Sequence, residues 1–198
     1  MSLAVTERQE IRFQRGFKTW AENTAVSIRK NLGSSAHDPL VPVDLATYLD
    51  VRVWTPHDVP GLRTEALQHL LSAEGDEWSA LTVRVGNREV IVLNPGHSSA
   101  RQASDLTHEL AHIIRDHTPA QILISNETGV GLRTFDELQE SEANWLAGCL
   151  LLPRTALAHC ANKRMSCDGM REYFGVSAEL LRYRLNVSGI ARQYGAYC

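Results

Sequence analysis

The chain has 198 residues, 43% of them hydrophobic and 22% charged, and a formal net charge of -3. This is the composition of an ordinary globular protein, long enough to bury a sizeable core. It excludes a strongly basic nucleic-acid binder, and no apolar run is long enough to span a membrane.

Charged residues Glu7, Arg8, Glu10, Arg12 and Arg15 stand where a signal peptide would need its apolar region. The expectation is a cytoplasmic chain without a leader. Cys149, Cys160, Cys167 and Cys198 form no Cys-x-x-Cys pair, so a zinc ribbon is not indicated. Reduced thiols, some buried, are expected, and a Cys160–Cys167 bridge is not.

Phe13, Phe17, Trp20, Ala21, Ile28 and Leu32 recur at helical spacing, which predicts an amphipathic helix over 7–32, ended by Gly33. A short helix is expected at 43–49 behind Pro42, then a strand at 51–54. A helix at 64–73 should turn Leu67, Leu70 and Leu71 inward. Residues 80–85 and 89–93 read as a β-hairpin around Gly86-Asn87-Arg88. Asn94-Pro95-Gly96 breaks it, and Ser98 or Ser99 caps a helix running to about residue 116. Residues 118–134 read as a loop or short hairpin. A strong helix covers 135–152 and stops at Pro153. Two or three short helices complete the chain, one capped by Ser177.

The helix predicted after the hairpin carries His108-Glu109-Leu110-Ala111-His112. Residues four apart on a helix share a face, so the two imidazoles can approach one Zn²⁺. Glu109 lies one position round, suited to hydrogen-bond a water and take its proton rather than to ligate. The competing reading is a pair of packed or surface histidines that bind nothing. A helix following a strand, with a second acid-rich helix beyond it, favours the zinc reading.

A third ligand is needed, with a fourth position open. The subclass that adds a Gly and a third His would need them at positions 115 and 118, where Arg115 and Thr118 stand. His117 is one residue off and reads as a helix-terminus residue. Glu137, Glu140 and Glu142 are the remaining candidates. Glu140 shares a face with Asn144 and Ala147, and Asn144 is suited to orient a ligand. Glu142 shares one with Leu138, Leu146 and Cys149. Helical phase favours Glu140, with Glu142 the rival and Glu137 a solvated acid.

The His-Glu-Leu-Ala-His motif, Glu140-Ser141-Glu142-Ala143-Asn144 and Leu150-Leu151-Leu152-Pro153 together resemble the ImmA/IrrE family of metallo-endopeptidases. Trp78-Ser79-Ala80, Asn94-Pro95, Arg101-Gln102, Phe174-Gly175-Val176-Ser177 and Arg184-Leu185 extend the resemblance over roughly residues 40–190. It implies a zinc peptidase with His108, His112 and Glu140 as ligands and Glu109 as general base. It also implies a helix-turn-helix transcriptional repressor as substrate, whose cleavage switches on phage, mobile-element or stress genes. Some relatives carry a fused DNA-binding domain ahead of the peptidase; the segment here is short and poor in turn signals, so direct nucleic-acid binding is not expected.

The expected fold is α+β: a mostly helical zincin-like domain with a small antiparallel sheet. One domain, 1–198, would comprise an N-terminal helix (1–35), a catalytic core (36–153) and a helical C-terminal part (154–198). Tyr183, Arg184 and His97 are candidate donors to the developing oxyanion. The rival function is a metal-bearing sensor or antirepressor that binds a regulator without cutting it.

Overall fold

The computed structural model describes residues 12–72, 78–85, 88–117, 122–124, 131–133 and 136–195. The mostly helical α+β class expected from the sequence is the one observed.

Helix α1 spans Phe17–Asn31. It starts later than the periodicity predicts. Gly16 sits at φ +88, a left-handed conformation that ends helical continuity on its N-terminal side. Residues 7–11 of the expected helix lie outside the described residues. Phe17, Ala21, Ala25 and Ile28 form its buried stripe.

Helix α2 (Pro42–Tyr48) opens on its proline, whose missing N–H costs nothing there. Strand β1 (Arg52–Trp54) follows. Helix α3 (Thr64–Leu71) buries no residue, and Leu71 is exposed, contrary to the inward leucines expected. Strands β2 (Ala80–Val85) and β3 (Arg88–Leu93) pair antiparallel, with Thr82 opposite Ile91. Gly86 and Asn87 of the expected turn lie outside the described residues.

The sheet is mixed rather than wholly antiparallel, because β1 runs parallel to β3. Its order is β1-β3-β2, so β3 is central and β2 forms an edge. Val90 through Leu93 are all buried, as a strand covered on both faces requires. This hides the alternation expected of a half-buried strand.

Asn94 then turns the chain. Its side-chain amide donates to the Trp78 carbonyl (2.9 Å), and its Oδ1 accepts from the Gly96 amide (2.9 Å). Ser98 caps helix α4 (Ser99–Ile114) by accepting from the Arg101 amide. Strands β4 (Ile122–Ile124) and β5 (Gly131–Arg133) form a small antiparallel pair. Asp136 caps helix α5 (Glu137–Leu151), accepting from the amides of Leu138 and Gln139.

Helices α4 and α5 pack together, and α1 packs on α5. Leu106, Leu110 and Ala111 join Ala143, Leu146 and Ala147 in one buried cluster, with Ala111 and Ala143 fully buried. Small residues here let two helices run close, which brings their polar residues within reach of each other.

Arg29 of α1 is fully buried. It donates to the Leu150 carbonyl (2.8 Å) and the Asp38 carbonyl (2.8 Å). Leu150 belongs to the last turn of α5, where carbonyls lack helical partners. Desolvation lowers the guanidinium to about 10, against the opposing pull of Asp38 and Glu22, so it stays charged at neutral pH.

The C-terminal region holds helices α6 (Arg154–Asn162), α7 (Cys167–Phe174), α8 (Ala178–Val187) and α9 (Ile190–Tyr194), one more than expected. Ser177 caps α8 as predicted, accepting from the Leu180 amide (3.1 Å). These helices share a second cluster with Leu151 and Leu152. Cys149 and Cys160 are free and buried, but Cys167 is disulfide-bonded, which departs from the expectation of reduced thiols throughout. Among the described residues, no helix is long and apolar enough to cross a membrane.

Candidate metal centre

His108 and His112 project from one face of α4, and Glu140 meets them from the first turn of α5. The Nε2 atoms of the two histidines lie 3.1 Å apart. His108 Nε2 is 3.3 Å from Glu140 Oε2, and His112 Nε2 is 3.7 Å from Glu140 Oε1. Four donors around an ion at 2.0–2.1 Å define a tetrahedron with edges of about 3.3 Å. The three observed separations bracket that edge. Two imidazoles and a carboxylate are also the donor chemistry that divalent transition ions take. Among the described residues, this is the group that could hold a metal ion.

The side chains of His108, His112 and Glu140 keep 23%, 22% and 25% of their surface exposed. A site closed on all sides would suit a structural ion; three candidate donors with a solvent face leave a position open. Glu140 also benefits from its place near the N-terminus of α5, where the helix dipole favours an anion.

Glu109 does not join the cluster. Its Oε2 accepts a hydrogen bond from the Thr82 hydroxyl on β2. A strand residue therefore steers the carboxylate next to His108. Nothing in the helical periodicity of α4 could reveal that contact, because it depends on how the sheet sits on the helix.

Glu142, the rival third acid, faces elsewhere. Its side chain is buried and accepts from Arg115 Nε (2.9 Å), and His117 Nε2 lies 3.3 Å away. An acid engaged by an arginine is a counter-ion first. Glu137 is exposed, as expected of a solvated acid. Asn144 is exposed too, and the polar contact to His112 comes instead from His117. His117 was expected to be a helix-terminus residue; its side chain is buried and points back to the site.

The three expected oxyanion donors each have partners of their own. Arg184 is fully buried, donating to the Leu152 carbonyl and to Glu22. Tyr183 meets Trp145 edge-on at 6.4 Å. His97 pairs with Asp105 at 3.2 Å. Cysteine chemistry finds no support at Cys149, whose thiol burial pushes up to about 12.

The solved structure of a Mycobacterium tuberculosis transcriptional regulator matches with a TM-score of 0.55 at 17% identity, over 89% of this chain. At that identity the match speaks for the fold. The chain spans 49% of that regulator's length. No curated protein matches the sequence. The model of the Peptidase M78 family, described as the IrrE N-terminal-like domain, matches residues 65–186. That stretch includes α4 with its two histidines, α5 with Glu140, and the strands that flank them. The chain belongs to the M78 peptidase family, through an IrrE N-terminal-like domain.

Proposed function

We propose that this chain is a zinc-dependent endopeptidase, with His108, His112 and Glu140 as ligands and Glu109 as general base. The observation that carries the reading is the meeting of two imidazoles and a carboxylate beside a second carboxylate held in place by Thr82. A purely structural metal site has no use for that second acid. The reading treats residues 1–198 as one domain built around the core at 36–153.

Zinc held there supplies a Lewis acid for the scissile carbonyl and brings the pKa of a water towards about 7. The chain's own residues do the rest. Glu109 takes the proton of the attacking water on one carboxylate oxygen, while Thr82 holds the other. It then returns the proton to the leaving amine. Strand β2 lies at the sheet edge, and Thr82 on that strand touches the base. An extended substrate segment added to β2 would therefore pass beside Glu109.

The substrate class we favour is a helix-turn-helix transcriptional repressor, whose loss releases phage, mobile-element or stress genes. Family membership and the likeness to a transcriptional regulator support a regulatory setting. The test is incubation of the purified chain and zinc with the repressor-like protein encoded nearest its gene. A discrete cut is expected. Binding without any cut would favour the second reading, a sensor or antirepressor that sequesters its partner.

The ligand assignment has its own test. Glu140→Ala should remove a direct ligand and strip zinc almost entirely. Glu142→Ala should weaken retention by about 10–100-fold, the effect of losing a group that supports a ligand. Metal content after dialysis against a chelator separates the two, and the reverse order would move the third ligand to Glu142.

A further inference from the structure

His112 faces two ways. Its Nε2 looks towards His108 and Glu140. Its Nδ1 lies 3.1 Å from His117 Nδ1. Beyond it, His117 Nε2 lies 3.3 Å from Glu142 Oε2. The same oxygen accepts from Arg115 Nε (2.9 Å) and Nη2 (2.5 Å). Arg115 in turn lies over the rings of Phe17 and Trp20, at 5.3 and 4.9 Å from their centroids. The side chains of His117 and Glu142 are only 6% and 7% exposed.

The chain geometry that sets this up is local. Asp116 takes φ +53, the left-handed conformation that Asp tolerates better than most residues. That turn lets the His117 amide donate back to the His112 carbonyl (3.0 Å) and folds the imidazole under the last turn of α4.

Two ring nitrogens at 3.1 Å need one hydrogen between them. A histidine that offers its Nε2 lone pair to a metal carries its proton on Nδ1. His117 Nδ1 must then accept, so the His117 proton sits on Nε2 and points at Glu142. Glu142 accepts it as an anion balanced by Arg115. The donors and acceptors agree in only this direction.

We infer that His117 and Glu142 are positioning residues for the metal centre: they fix the tautomer and ring orientation of His112, and Arg115 anchors them to α1. The inference rests on the metal reading proposed above. It assigns α1 a part in the site that it does not touch. Carboxylate-backed histidine ligands bind metal more tightly because the backing group holds the lone pair on target.

The test is the zinc dissociation constant of the full chain, by chelator competition, for wild type, His117→Phe and His117→Gln. Phenylalanine keeps bulk and loses both hydrogen bonds. It should weaken zinc binding by about 10–100-fold. Glutamine can accept from His112 with its oxygen and donate to Glu142 with its nitrogen, and should stay close to wild type. Equal affinity in all three variants would overturn the inference, even if the Phe variant melts earlier. So would a Gln variant as weak as the Phe variant.

The wild type alone supplies an independent reading. In zinc-loaded protein carrying ¹⁵N-histidine, His117 must appear as the Nε2–H tautomer, and Nδ1–H there would overturn the relay. Failure of wild type to bind zinc at all would instead sink the metal reading on which the relay stands.

Discussion

Replacing Glu109 by glutamine is expected to abolish hydrolysis and leave zinc bound. A positioned general base contributes about 10²–10⁴ in rate, and in the proposed mechanism one group serves as base and then as acid, so the loss should reach at least the upper part of that range. The substitution is close to isosteric. The amide oxygen can still accept from the Thr82 hydroxyl, so the contact between α4 and β2 survives. What the amide cannot do is take a proton from water. Glu109 is not among the three clustered ligand groups, so metal content should match wild type. The check pairs metal analysis with cleavage of the proposed repressor substrate by wild type and variant at equal zinc. Full activity in the variant would remove Glu109 from the mechanism, and loss of zinc would make it a ligand instead of a base.

The parts of this site that depend on periodicity were legible in the sequence. A spacing of four residues from His108 to His112 fixes them on one helical face whatever the tertiary fold. Helical phase favoured Glu140 by grouping Glu142 with Leu138, Leu146 and Cys149 as core; Leu146 and Cys149 are buried, whereas Leu138 is exposed. The buried side is where Glu142 is found, paired with Arg115. The parts that depend on how elements meet were hidden. Thr82 and Glu109 are 27 residues apart, joined only when β2 lies against α4. His117 falls one residue short of the position at which the extended motif places a third histidine. The signal that could have found it is a histidine just beyond a helix end, behind an Asp able to take a left-handed turn. The parallel pairing of β1 with β3 left no trace either, since a three-residue strand carries too little pattern to fix its direction. Leucines at helical spacing in α3 pointed to a buried face, yet Leu67 and Leu70 are only partly buried and Leu71 is exposed.

Glu22 is the other such hidden contact, and its removal should carry the largest cost to stability. It sits on α1, and its two carboxylate oxygens tie down two different helices. Oε1 accepts from Arg184 Nη2 of α8 (2.6 Å), across 162 residues of sequence. Oε2 accepts from the Arg154 amide (2.8 Å), the first amide of α6. Helix α6 has no capping side chain of its own, so Glu22 supplies the cap from another element. Arg184 reaches this position by crossing α5 at Gly148, where an added Cβ would come within 2.9 Å of its Cδ. Its side chain is fully buried, and Nη1 finds no hydrogen-bond partner among the described residues. Glu22→Ala would therefore leave a buried guanidinium without its counter-ion. Breaking such a pair from one side costs about 3–5 kcal/mol, because the remaining charge stays desolvated. For a chain of this size that corresponds to a fall of roughly 6–20 °C in Tm. Glu22→Gln keeps an acceptor for Arg184 and should cost less. Urea unfolding of the three proteins orders them wild type, Gln, Ala, and an Ala variant as stable as wild type would show that water reaches Arg184 freely. Zinc affinity of the folded Ala variant should be unchanged. Leu152, where Arg184 docks, lies twelve residues along α5 from Glu140, or about 18 Å of helix, so the two ends of α5 answer to different partners.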